Sequence, residues 1–336
     1  MESPSIKNSV KAYLKMLSDP TGEPEYIHRW GEKIHSKLIN PIDQYLTDEI
    51  KHLIIIPDGI LCYLPFETLI TSNRDNLPQY LALKYSMSYQ PSASHLIHLL
   101  NKPQPKAFMK DLVAFGSPDY QLDARDVNNL TNIQYRQYVR SGHSFYDLPY
   151  TKKEIKKISR YFQKDQFEGY LNRKASEEAV KQLPLNYTKI IHFACHSISD
   201  STNPLTSALI MSFHSNGPGD GFLKTYELLH LTLNPLLVVL SACQTGTGVL
   251  EKEGFFGLSR AFFLNGAKSV VASLWRVSDR ATCLFMDTFY RYLSEGEKIE
   301  QALRLTKIHM LKTPYRHPYY WSSFVLNGGF SYSLSH

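Results

Sequence analysis

Apolar positions change their period along this chain. Between residues 5 and 50 they recur every three or four places, with Val10, Tyr13, Leu14 and Leu17 in one stripe and Ile34, Leu38, Ile42 and Leu46 in another. That spacing predicts helices. Shorter runs follow. "HLIIIPDG" (52–59) is an apolar run closed by a Pro-Asp-Gly turn, and "ALKYSMSYQPS" (82–92) alternates like a half-buried strand. "HLIHLL" (95–100) starts a short helix, and "DLVAFGSPD" (111–119) reads as strand then turn. Residues 118–148 are polar with little periodicity, and a loop of that length in a compact domain is usually functional or disordered.

From residue 151 the pattern becomes regular. Helices are predicted over 151–163, over 175–183 with Ser176 able to cap, at "KTYELLHL", over 254–266 with an Asn-Gly stop, and over 278–294 and 297–311. Strands are predicted near Gly169, over 188–195, over 207–213, at "LLVVLSA" and over 268–275. Continuously apolar strands alternating with helices imply a mostly parallel sheet covered on both faces, an α/β architecture.

Composition narrows the function classes. At 336 residues, 43% hydrophobic and 20% charged, the chain is ordinary globular material, enough for one large domain or two modest ones. The net charge of +6 is mild. Much of it lies in "TKKEIKKISRYFQK" (151–164), where Ile155, Ile158, Tyr161 and Phe162 alternate with lysines as on a solvated helix face. No arginine-plus-aromatic platform for nucleic acid is evident. Cys62, Cys195, Cys243 and Cys283 are scattered without a C-x-x-C, which suits a reducing compartment. "MESPSIKNSV" has no signal-peptide pattern, and no apolar run reaches the ~20 residues that span a bilayer. A soluble, cytoplasmic protein is expected, with no membrane or nucleic-acid partner.

The chemistry gathers at two strand ends. "KIIHFACHSISD" (189–200) carries two histidines and a cysteine, and "LLVVLSACQTGTG" (236–248) ends its apolar run at Cys243. In parallel α/β sheets reactive groups collect at the carboxyl ends of neighbouring strands. A thiol and an imidazole on adjacent tips can share a proton, leaving a thiolate nucleophile. Alternation puts His192, Ala194 and His196 on one side, with Phe193 and Cys195 on the other. His196, just before a polar loop, is therefore expected to face solvent. "QTGTG" (244–248) could turn backbone N–H groups toward an oxyanion. It lacks the third glycine of a dinucleotide loop. Other readings remain open: each of Cys243 and His196 alone could be buried structure, and His192, Cys195 and His196 could bind zinc, although their spacing matches no common structural zinc site.

Taken together, "IIHFACHS", "LVVLSACQTGTG", "EGFFGLSRAFFLNGAKSVVASLWRVSD" and "IIIPDGILCYLPFETL" resemble the CHAT family of caspase-like peptidases, related to caspases and separase. "FGSPDY", "LPYTKKEI" and "YYWSSFVLNG" extend the resemblance from about residue 52 to 329. It implies a caspase-like α/β/α sandwich with a mostly parallel central sheet, preceded by a short helical N-terminal segment. The expected divisions are a helical segment 1–50, an N-terminal part of the CHAT region 51–117 (a pseudo-caspase half), the polar loop 118–148 and a catalytic core 149–330.

The resemblance further implies a cysteine endopeptidase with Cys243 as nucleophile and His196 as acid and base, working through a thioester without metal or cofactor. Backbone N–H groups of Cys243 and Ser197 would hold the oxyanion. The family usually has glycine where Ser197 stands, and a positive φ there would cost a serine roughly 1 kcal/mol. Ser273, Trp275, Arg276 and Asp279 fall on the segment that lines the substrate cleft in caspases and separase. Asp279 would receive Arg or Lys, or else serve a helix N-terminus. Arg276 would instead favour an acidic residue. Arg125, Arg136 and Arg140 are candidate self-cleavage points. The implied partners are a protein substrate and an activating protein, of tetratricopeptide or gasdermin-like type at family level, in bacterial defence or programmed death. A catalytically weak scaffold is the alternative.

Overall fold

The computed structural model describes residues 4–74, 77–101, 107–121, 145–200, 203–213, 219–241, 243–244 and 254–329, with backbone alone at 4–5, 72–74, 77, 243–244 and 254–257. Arg125, Arg136, Arg140 and residues 245–248 of the "QTGTG" turn lie outside the described residues.

Strands in chain order are β1 (His52–Ile55), β2 (Ile70–Arg74), β3 (Leu77–Tyr80), β4 (Ser86–Tyr89), β5 (Lys110–Gly116), β6 (Phe167–Leu171) and β7 (Thr188–Ala194). They continue with β8 (His196–Ile198), β9 (Ala208–Ile210), β10 (Phe222–Lys224), β11 (Leu237–Leu240), β12 (Cys243–Gln244), β13 (Ser269–Ser273) and β14 (Phe324–Gly328). The main helices are α1 (Pro4–Leu17), α2 (Pro24–Leu38), α3 (Ala93–Asn101), α4 (Pro149–Ile158), α5 (Glu177–Gln182), α6 (Gly254–Leu264), α7 (Asp279–Ser294) and α8 (Ile299–Met310).

The chain divides into two compact units, one of residues 1–101 with 288–336 and one of 102–287. In the first, β1 and β4 run parallel, as do β4 and β14. The predicted stripe of α1 is its buried face: Val10, Tyr13, Leu14 and Leu17 are all fully buried. The second predicted stripe holds as far as Leu38 and breaks there. Asn40-Pro41 converts the chain to a 3-10 turn, α2 buries Ile27, Gly31 and Ile34, and Ile42 is exposed. Residues 82–92 are likewise not one strand, because Leu81–Lys84 forms a helical turn before β4.

In the second unit β6, β5, β7, β11 and β13 form a parallel sheet in that order. Every residue of β7 is buried, including the polar Thr188, Lys189 and His192, so the strand is covered on both faces. Successive strand side chains point to opposite faces. His192 of β7 meets Glu154 of α4, while Phe193 packs on Phe262 of α6, so the two helices cover opposite faces. This layering is the α/β/α sandwich with a mostly parallel sheet. Ser176 caps α5 by accepting from the Ala179 N–H, and α6 ends before Asn265-Gly266 as read from the sequence.

Candidate active site

One correction decides where the histidine sits. The predicted strand 188–195 ends at Ala194, and His196 begins β8 in a different sheet, ordered β10-β9-β8-β12. His192 and His196 therefore do not share a face of one strand. His192 is fully buried and bonded to the Glu154 carboxylate at 2.8 Å. Nor does His196 face solvent: only 1% of it is accessible. Tyr120 and Tyr146 lie with ring centroids 5.0 Å from its imidazole, and Phe145 lies at 6.1 Å. Nothing in a polar stretch without periodicity marked these aromatic rings as a cover.

β12 pairs with β8 in parallel, and the register sets Cys243 opposite His196 and Gln244 opposite Ser197. β9 lies antiparallel on the other side of β8, with His196 opposite Ile210. Ser197 thus stands in extended, paired backbone. The positive-φ residues other than glycine, among those described, are Ser117 and Asn172. The strain feared for a serine here is absent.

The ring of His196 has a defined proton. Its Nε2 lies 2.8 Å from the Tyr146 carbonyl oxygen. A carbonyl only accepts, so Nε2 carries the hydrogen and Nδ1 is left as the basic atom of the neutral ring. Burial pushes the imidazole down to about 4, so the neutral form prevails near pH 7. Cys195, adjacent in sequence, is fully buried, and burial holds its thiol well above the ordinary range. It is packing material rather than a nucleophile.

The segment 273–279 approaches the same place. Ser273 and Trp275 are buried. Arg276 is exposed and lays its guanidinium 4.6 Å from the Tyr146 ring centroid, a cation–π contact. Asp279 opens α7 and accepts the Tyr150 N–H at 2.8 Å, so it serves the first turn of the neighbouring α4. Half-burial raises its carboxyl to about 6, against the pull of that hydrogen bond. Among the described residues no group of three or more His, Cys, Asp or Glu is placed to hold a metal, and no helix is long and apolar enough to cross a membrane.

The CHAT domain model matches residues 28–329, most of the sequence. The chain belongs to the CHAT domain family. This CHAT domain is also 36% identical over 107 residues to mouse tetratricopeptide repeat protein 28 and 35% identical over 107 residues to the human protein. In each case the match covers 32% of this chain and 4% of the relative. Among solved structures, Saccharomyces cerevisiae separase in its securin complex aligns over 98% of this chain and 21% of its own, with 15% identity and a TM-score of 0.50. The Arg-specific cysteine proteinase gingipain R aligns over 96% and 73%, with 9% identity and a TM-score of 0.50. These likenesses show the caspase-like fold.

Proposed function

We propose that this CHAT domain is a cysteine endopeptidase in which Cys243 attacks the scissile carbonyl and His196 moves the proton. The observation that carries this reading is the parallel pairing of β12 with β8, with Cys243 opposite His196. Paired strands lie about 4.8 Å apart, a separation across which a thiol and an imidazole can bond. The Tyr146 carbonyl supports the role of the ring, because holding Nε2–H leaves Nδ1 free to act as the base.

In the reaction the thiol proton passes to Nδ1 as the sulfur–carbon bond forms. The imidazolium then gives that proton to the departing amine, and a thioester remains. Water attacks the thioester, Nδ1 takes its proton, and the proton returns to the sulfur as the acid product leaves. The N–H groups of Cys243 and Ser197 are assigned to the oxyanion. Asp279 is assigned to a Lys or Arg side chain before the scissile bond, with Trp275 and Ser273 lining the neighbouring cleft. Arg276 is held on Tyr146, which favours Asp279 over Arg276 as the selecting charge. A protein substrate and an activating partner of tetratricopeptide type fit the relatives, and defence or programmed death is the proposed setting.

A peptide library incubated with the purified protein tests this. Cleavage after Lys or Arg is expected, lost in both Cys243→Ala and His196→Ala while the fold is retained. Wild-type turnover in either variant would falsify the assignment. The burial of His196 favours one second reading, a caspase-like scaffold without activity. An unreactive Cys243 toward iodoacetamide in the native protein would support it.

A further inference from the structure

Tyr120 has no part in the dyad proposed above, yet it touches His196 twice. Its hydroxyl accepts the His196 backbone N–H at 2.9 Å and donates to the Ile210 carbonyl at 3.3 Å. His196 and Ile210 are the facing pair of β8 and β9. The hydroxyl therefore threads between two strands at the residue where β8 begins, and satisfies one donor and one acceptor that burial would otherwise penalise. The same side chain lays its ring 5.0 Å from the His196 imidazole.

Tyr120 is itself held firmly. The turn that leads to it places Ser117 at φ 48, outside the ordinary region for a serine. Thr151 Oγ1 accepts the Ser117 N–H at 3.0 Å, and the Asn172 N–H reaches the Ser117 carbonyl at 3.1 Å. One residue before the tyrosine, the Asp119 carbonyl accepts the Phe213 N–H at 3.0 Å. Bonds from elements on several sides thus fix the turn, and the turn aims the phenol. Burial keeps that phenol protonated far above its ordinary range, so its donor persists at every physiological pH.

We propose that Tyr120 is a positioning residue for His196, fixing both the first residue of β8 and the plane of its ring so that the imidazole meets Cys243. The proposal rests on the peptidase reading for its consequence in catalysis, but the positioning itself can be measured without turnover.

The test compares Tyr120→Phe, which deletes only the hydroxyl, with Phe213→Leu. Phe213 packs against Tyr120 at 6.0 Å between ring centroids and belongs to the same apolar cluster, so its truncation loosens packing without touching the bridge. In Tyr120→Phe, kcat is expected to fall about tenfold or more with KM nearly unchanged, the scale of loss when a reacting group is misplaced by a fraction of an ångström. The His196 ring, followed by NMR in histidine-labelled protein, is expected to titrate at a shifted pH. Phe213→Leu is expected to keep both kcat and the His196 titration. An unaltered kcat or an unaltered titration in folded Tyr120→Phe overturns the proposal, as does an equal loss in Phe213→Leu.

If Tyr120→Phe does not fold, the wild-type protein still answers. A slowly exchanging Tyr120 hydroxyl proton with a cross-peak to the His196 amide is expected, and its absence overturns the bridge. Should the wild type cleave no peptide, the peptidase reading fails, while the titration and the cross-peak still decide the positioning.

Discussion

Within the proposed dyad, pH acts through the imidazole of His196. Burial lowers it from the ordinary 6.5 to about 4, so the folded state binds the proton less readily than the unfolded chain. The stability it contributes is whole above pH 6.5 and drains away as pH falls toward 4. Unfolding midpoints measured between pH 7 and 4 should therefore drop more steeply for the wild type than for His196→Gln. Parallel curves would mean that the ring is not shielded as described. Asp279 runs the other way, since half-burial raises its carboxyl to about 6. Preference for Arg over an isosteric neutral residue should fade as pH falls from 7 to 5, and should vanish at all pH values in Asp279→Asn. A preference that is flat with pH would remove Asp279 from substrate selection. Cys243 and His196 were legible as the last residues of apolar runs before polar loops. Tyr120 and Tyr146 were not, because an aromatic residue in an aperiodic stretch gives no sign of which ring it will cover.

At the scale of elements, periodicity carried well wherever one face is buried, and failed where a single residue type broke the pattern. Proline at 41 ended the helical stripe that would have placed Ile42 inside. The strand through 188–195 could not reveal that the chain leaves one sheet after Ala194 and joins another at His196, because both stretches are extended and fully buried and no turn residue separates them. Local chemistry was more reliable at the helix stop after α6. Gly266 has φ +104, and a Cβ there would lie 2.3 Å from the Leu233 carbonyl oxygen. Only glycine accommodates both the left-handed backbone and the approach of that carbonyl. Gly266→Ala should lower stability by at least about 1 kcal/mol, measured by urea unfolding. Ser176→Ala, which removes the α5 cap, should cost about the same, roughly 1 kcal/mol. If Gly266→Ala were neutral, the backbone at the α6–β13 connection would have to differ from this geometry.

For the molecule as a whole, one unit is assembled from both ends of the sequence, residues 1–101 and 288–336, and periodicity within a window has no access to that. What ties the ends together is chemistry that hydropathy would place on the surface. Lys307 of α8 is 1% exposed and reaches Glu67, 240 residues earlier, at 2.6 Å. Tyr89 donates to the other Glu67 oxygen at 2.5 Å, so the carboxylate is bonded on both sides. Burial pulls the Lys307 ammonium below its ordinary range and Glu67 pulls it back, the balance expected when a charge is kept inside only by its partner. Replacing such a pair with neutral groups can be nearly free, whereas removing one member strands the other charge and typically costs about 3–5 kcal/mol. Lys307→Met should therefore be strongly destabilising, and Lys307→Met with Glu67→Gln should recover much of the loss. Hydrogen exchange should register the single variant in the amides of β4 and β14, within the unit that the pair closes. Equal stability of the single and double variants would mean that the two charges do not depend on each other, and the joining of the two chain ends would have to be credited to apolar packing alone.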